Sequence, residues 1–213
     1  MGSILEALSP EQQIACSTQN NILLTACPGS GKTRTLTHRL AYQVLRDPAS
    51  KKIKIAITYT NRAAEEITNR LEGMNIDQSS IWAGTIHQFC MHFIIRPYAM
   101  YSKRLCKGYR IIDDYSKKAY GREIAERLGM HLNYYDDPFQ YENVRTEYKR
   151  VLKEKKEIDF DAILLISEEL LASCAFIGSN IASVISSILV DEFQDTNELQ
   201  YSILSTIYKA NKS

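Results

Sequence analysis

The sequence predicts an α/β fold, a parallel sheet flanked by helices and carrying a small helical insertion, and three observations lead there. Apolar runs short enough for buried strands are each followed by helical spacing, at residues 22–24, 54–58 and 81–84. Strand signals then thin out between about residue 96 and residue 157, where helical spacing takes over. After that block a further apolar run, 188–190, ends in two adjacent carboxylates, Asp191 and Glu192.

Taken in order, the chain first offers a helix start, with Ser9 as the capping residue and Pro10 at the first helical position. A helix from there places Gln12 one turn in, close to the loop that follows. Its amide carries both the donor and the acceptor that an adenine edge needs, although a surface glutamine fits the same pattern. The run 22–24 reads as a strand, residues 26–31 (Ala-Cys-Pro-Gly-Ser-Gly) as a tight loop, and Lys32-Thr33 as the opening of a helix through Leu36, Leu40 and Val44. Strand, loop and helix in that order are what a phosphate-binding loop, or P-loop, requires. Gly29 and Gly31 let the main chain approach an anion, and the backbone N–H groups around Ser30 and the helix dipole face it. Lys32 supplies a point charge and the Thr33 hydroxyl a ligand for Mg²⁺, so the expected small molecules are ATP and Mg²⁺. Ala26 stands where the strict motif has its first glycine, and Arg34, one residue further on, is grouped with the nucleotide-binding set.

The second unit runs from the apolar stretch 54–58 into a helix capped by Thr60 or Asn61, with Ala63, Ala64, Ile67 and Leu71 on one face. The third pairs a strand at 81–84 with a helix at 85–93, which Pro97 is expected to end. Three strand-then-helix units imply that the turns after the strands share one sheet edge, the edge where such sheets bind ligands. In the insertion, helices are expected over 115–128 and 138–156. The second carries Tyr141, Val144, Tyr148, Val151 and Leu152 as a stripe, with Arg145, Lys149, Arg150, Lys153 and Lys156 around it. Residues 159–161 then lead into an amphipathic helix, and the strand ending at Asp191 and Glu192 completes the set. The first acid is placed to hold magnesium, and the second to orient or deprotonate an attacking water.

Composition limits the partners. The 213 residues carry a net charge of +1, but unevenly: residues 96–157 hold 15 Lys and Arg against 10 Asp and Glu, while 158–213 hold 2 against 8. The middle block also contains 9 of the 13 tyrosines, a basic and aromatic composition that suits a nucleic-acid surface, or equally a solvated surface over a small core. Five cysteines without paired spacing argue against a disulfide framework or a zinc site and are expected to be reduced and mostly buried. No run resembles a signal peptide or a membrane span, so a cytoplasmic protein is expected.

These segments resemble the UvrD-like branch of superfamily-one DNA helicases across nearly the whole chain. Leu8-Ser9-Pro10-Glu11-Gln12 is similar to the family's adenine-reading Q motif, with Ser9 for the more usual Asn, and Ala26 to Thr33 to motif I. Thr58-Tyr59-Thr60-Asn61-Arg62-Ala63-Ala64 resembles motif Ia, and Gly84-Thr85-Ile86-His87-Gln88-Phe89 the segment that follows it. Val190-Asp191-Glu192-Phe193-Gln194-Asp195-Thr196 resembles motif II, with Phe193 for the usual Tyr. The resemblance implies a P-loop NTPase with a RecA-like sheet, its domain 1A formed by residues 1–95 and 158–213 and a 1B-like helical insertion by 96–157.

It further implies Gln12 on adenine, Lys32 on the β and γ phosphates, Thr33 and Asp191 on magnesium, Glu192 as catalytic base and Gln194 as γ-phosphate sensor. Tyr59, Asn61 and His87 fall where the family lays single-stranded DNA, although His87 fits a structural hydrogen-bonding role as well. The implied partner is single-stranded DNA or a duplex with a single-stranded end. A narrower resemblance, carried by the form of motif I, the short insertion and Arg96-Pro97-Tyr98, is to the helicase-like subunit of Gabija anti-phage systems, which would add a partner nuclease. The resemblance stops at Ser213, before the family's arginine fingers and second motor domain, so the chain alone is expected to bind ATP and hydrolyse it poorly.

Overall fold

The computed structural model describes residues 2–27 and 29–210. A single helical turn, α1 (Gly2–Leu5), precedes α2 (Pro10–Ser17), and α2 starts as its sequence demands. The Ser9 hydroxyl accepts from the Gln12 amide at 3.4 Å, and the Gln12 side-chain carbonyl accepts from the Ser9 amide at 3.1 Å, a reciprocal capping box. Next come α3 (Lys32–Arg46), β1 (Ile53–Thr58) and α4 (Asn61–Gly73). Thr60 caps α4, its hydroxyl accepting from the Ala63 amide at 3.2 Å. Strand β2 (Ile81–Thr85) passes into α5 (Ile86–Phe89), a π-helical segment Cys90–Ile95, α6 (Arg96–Tyr98) and a 3-10 turn Ala99–Tyr101. The chain continues through β3 (Arg110–Ile111), α7 (Asp114–Arg127), α8 (Glu142–Lys155), β4 (Glu157–Ile158), α9 (Phe160–Ser173), α10 (Ala175–Val184), β5 (Ile185–Val190) and α11 (Glu198–Ala210).

Two compact units result. One is built from the residues up to Phe89 together with those from Gly178 onward. Its sheet is parallel with β1 in the centre: Thr58 lies opposite Thr85 of β2, and Ile57 opposite both Gly84 and Val190. One core cluster joins Leu40, Ala41 and Val44 of α3 and Ile67 and Leu71 of α4 to Ala56 of β1, which is the packing expected of apolar faces spaced at helical period against a buried strand. Gly84 cannot be larger, because a Cβ there would lie 2.6 Å from the Trp82 ring and 2.8 Å from the Gln88 side-chain oxygen.

The other unit, Cys90–Ile177, is wider than the block 96–157 that the sequence sets apart, because the π-helical segment packs on α9 within it. Its second core gathers Ile124 and Ala125 of α7 with Val144, Tyr148 and Leu152 of α8. The Tyr148 hydroxyl donates to Asp159 at 3.0 Å, and burial followed by that carboxylate pushes its pKa up.

Four sequence expectations are corrected here. The run 22–24 forms no strand. Ile22, Leu23 and Leu24 are 42%, 73% and 38% exposed, and among the described residues no strand lies on the free side of β5 to satisfy their backbone groups. Pro97 does not end the third helix. It sits in the first turn of α6, directly after the wider π segment, where a residue without an N–H is tolerated. The insertion is not purely helical, since β3 and β4 pair in parallel, with Arg110 opposite Glu157. The cysteines are not mostly buried: Cys16 and Cys90 are, Cys27 and Cys106 are exposed, and Cys174 is half-buried. Burial pushes the thiols of Cys16 and Cys90 up to about 11 and about 12, which leaves them unreactive.

Candidate functional site

The turns after β1, β2 and β5 share one edge, as the parallel pairing requires. The Asp191 amide donates to the Ile57 carbonyl at 2.8 Å, so the first residue beyond β5 is still held by the neighbouring strand. Glu192 follows with φ +49° and ψ +47°, a left-handed conformation that a non-glycine residue adopts at a cost. That turn sends two consecutive carboxylates different ways. The Asp191 Oδ2 accepts from the Thr33 hydroxyl at 2.9 Å, and the Glu192 Oε2 accepts from the Gln194 side-chain amide.

On the facing side, Gly29 and Gly31 have φ of +78° and +88°, so only glycine fits without strain. Gly31 is constrained twice, because a Cβ there would also approach the Gln12 amide nitrogen to 3.3 Å. Pro28 lies outside the described residues. The Gln12 Nε2 donates to the Ser30 carbonyl at 3.1 Å, which ties the capped start of α2 to the loop. The Lys32 ammonium donates to the carbonyls of Ala26 (3.1 Å) and Cys27 (3.4 Å). Helix α3 starts here with no side-chain cap, so its first N–H groups stay available to an anion at the loop.

A cavity of about 300 Å³ opens at the strand ends, lined by Tyr59, His87, Asp191, Glu192, Asp195 and Gln200 among others. The structure therefore brings together Gln12 with the loop, Thr33 with Asp191, Gln194 with Glu192, and Tyr59 and His87 with the carboxylates. Two sequence-predicted residues stand apart. Asn61 lines a separate groove along α4 with Glu65, Thr68, Asn69 and Gln88. Arg34 turns away from the loop, its guanidinium donating to the Ala7 carbonyl at 2.8 Å, so it braces the segment before α2.

Thr58, Thr85 and Gln200 also line the strand-end cavity and carry no role in the sequence reading. Gln200 was findable. Asn197 and Gln200 form a capping box, the Gln200 amide donating to the Asn197 side chain at 3.0 Å and the Asn197 amide donating to the Gln200 side chain at 3.3 Å. The signal is an Asn followed three residues later by Gln, the pattern that also marks Ser9 and Gln12.

As to chemistry, the Thr33 hydroxyl and the Asp191 carboxylate form an all-oxygen pair of the hard kind that Mg²⁺ takes with phosphate and water completing its shell. Among the described residues there is no group of three or more His, Cys, Asp or Glu that could hold a metal ion. No helix of the described residues is long and apolar enough to cross a membrane.

The chain is similar to several known proteins. The model of the UvrD/REP helicase N-terminal domain matches residues 8–142 and 131–213. The ATP-dependent DNA helicase PcrA of Leuconostoc citreum is 27% identical over 92% of this chain and 30% of its own length. DNA helicase II of Escherichia coli K12 is 27% identical over 93% of the chain and 31% of its own. PcrA of Staphylococcus aureus Mu50 is 26% identical over 97% and 32%. The chain thus spans about a third of the length of these relatives. Neither the family model nor these relatives support the narrower resemblance to a Gabija subunit or the partner nuclease it would bring.

Proposed function

This chain belongs to the UvrD/REP helicase family, and from that premise we propose that it is the ATP- and single-stranded-DNA-binding portion of an ATP-dependent DNA helicase or translocase. It has a P-loop NTPase fold of the RecA-like kind, with domain 1A formed by residues 1–95 and 158–213 and a 1B-like insertion by 96–157, and it works in the cytoplasm. The observation that carries the reading is the 2.9 Å hydrogen bond between Thr33 and Asp191, which joins the phosphate loop to the carboxylate pair.

ATP lies with its phosphates on the backbone of Gly29, Ser30 and Gly31. Lys32 exchanges its carbonyl partners for β and γ phosphate oxygens, a stronger, charge-assisted contact. Gln12 reads the adenine, and its hydrogen bond to Ser30 supports that proximity. Arg34 contributes by holding the segment before α2 in place. Thr33 and Asp191 hold Mg²⁺, which when bound neutralises charge between the phosphates. Glu192 is the base that orients the attacking water, and Gln194, hydrogen-bonded to it, is suited to sense the γ phosphate. Tyr59, Asn61 and His87 receive single-stranded DNA, or the single-stranded end of a duplex. Tyr59, being 71% exposed, offers a ring face for base stacking.

The test is phosphate release from ATP, with and without oligothymidylate, by the chain extended past Ser213, alongside binding of a fluorescent ATP analogue in Mg²⁺. Lys32→Ala should weaken nucleotide binding at least about tenfold, the loss of one charge-assisted contact. A protein that binds no ATP, or whose hydrolysis ignores single-stranded DNA, would rule out the motor reading.

A further inference from the structure

We infer that the turns after α6 form a second contact surface for a single-stranded polynucleotide, separate from the strand-end cavity. The segment from Cys90 to Ile112 carries five Lys and Arg and not one Asp or Glu. Its turns are pinned from below: Ser102 and Leu105 are buried, and the Leu105 and Cys106 amides donate to the Ser102 carbonyl at 3.1 and 2.9 Å. That anchoring turns Met100, Tyr101, Lys103, Arg104 and Lys107 outward. Tyr101 packs edge-on against Phe176 of α10 with ring centroids 5.1 Å apart, and Tyr98 packs against both rings at 6.4 and 6.1 Å. Tyr101 stays 50% exposed and Met100 71%.

The arginines of the other basic part of the unit are engaged differently from the cations of this patch. On α8, Arg145 pairs with Glu142, and Arg150 with Glu147 and Glu154, while Arg127 of α7 also reaches Glu147. Among the described residues no ion pair engages Arg96, Lys103, Arg104 or Lys107. Lys149 and Lys153 of α8 form no ion pair either, so what sets the turns after α6 apart is a stretch of cations with no acid in it, beside the rings of Tyr98, Tyr101 and Phe176.

Uncompensated cations beside an exposed aromatic cluster fit a polyanion that also offers flat apolar faces. A single strand offers both, phosphates to the cations and bases to the rings. A duplex hides its base faces, and an acidic peptide has charge without them.

The experiment is fluorescence anisotropy of a labelled oligothymidylate of about 20 nucleotides, and of a blunt duplex, at two salt concentrations and without ATP. Lys103→Glu with Arg104→Glu should weaken single-strand binding at least about tenfold and flatten its salt dependence. Tyr101→Ala should weaken it about fivefold or more and leave duplex binding unchanged, while Tyr101→Phe keeps the affinity. Thermal melting monitors folding, which the exposed Lys103 and Arg104 should not alter; Tyr101→Phe keeps the ring packed on Phe176, and Tyr135→Ala, at a tyrosine 94% exposed elsewhere in the unit, is the control. Wild-type affinity in the charge-reversed variant would overturn the inference, as would a Tyr101→Ala protein that loses nothing. Displacement of the oligonucleotide by polyglutamate as readily as by unlabelled strand would overturn it in favour of an acidic protein partner. Tyr59→Ala reports separately on the strand-end reading, and loss of binding there alone would count against this second surface.

Discussion

The two halves of the candidate site are held by unlike means. Asp191 and Glu192 leave a strand that is paired along its length with β1, and the Asp191 amide is still bonded to Ile57 after the strand has ended. The glycine loop before α3 follows an apolar run that pairs with nothing among the described residues, and it is kept in shape by side chains instead. Gln12 holds Ser30, Lys32 holds Ala26 and Cys27, and Thr33 reaches across to Asp191. A residue fixed by sheet pairing inherits the stability of the core. One fixed by a few exposed hydrogen bonds, each contributing about 0.5–1.5 kcal/mol, can rearrange when a ligand replaces those partners.

Substitutions on each side can break or sharpen that contrast. The largest effect belongs to the rigid half: Glu192→Gln should cut ATP hydrolysis by about 10²–10⁴ while leaving nucleotide binding intact, read by phosphate release beside analogue binding. Equal loss of binding and turnover would mean that Glu192 shapes the site without acting in it. Next, Ile55→Ala in the centre of β1, where the side chain is fully buried, should destabilise by about 2–5 kcal/mol in urea unfolding. Ser9→Ala should cost about 1 kcal/mol by removing the cap of α2, and should loosen nucleotide binding through Gln12. Leu23→Ala should be the mildest, within about 0.5 kcal/mol, because that side chain is mostly exposed. A cost above about 2 kcal/mol there would show the run to be buried in solution and would end the contrast between the halves.

Much of this was readable in advance because it depends on short-range rules. Capping at Ser9 and Thr60, helical faces through Leu40 and Val44, and an apolar strand ending at Asp191 are local patterns, and parallel pairing then brings the strand ends together with no further information. The run 22–24 failed because apolar character marks a strand candidate but does not supply the neighbour that satisfies its backbone. Pro97 failed for a related reason: a π segment in front of it changes which carbonyls need an N–H. The ion pairs of Arg145 and Arg150 on α8 depend on which acids face which bases. Composition counts both and places neither, so it marks residues 96–157 as basic without saying where in that block a partner would bind. Gln200 was missed although its capping pattern stood in the sequence.

The same cap starts three helices. Gln12 answers Ser9, Gln88 answers Thr85 (the Thr85 amide donates to Gln88 at 2.9 Å and the Gln88 amide to Thr85 at 3.3 Å), and Gln200 answers Asn197. Glutamate closes such a box as well as glutamine does, and its charge would favour the helix N-terminus. Each glutamate would also carry a full negative charge, one of them at the loop carbonyl of Ser30 and another in the lining of the strand-end cavity. With amides at all three positions the reciprocal caps themselves add no charge at the loop or the cavity, and the acids of these first turns are Glu11 of α2 and Glu198 of α11 instead.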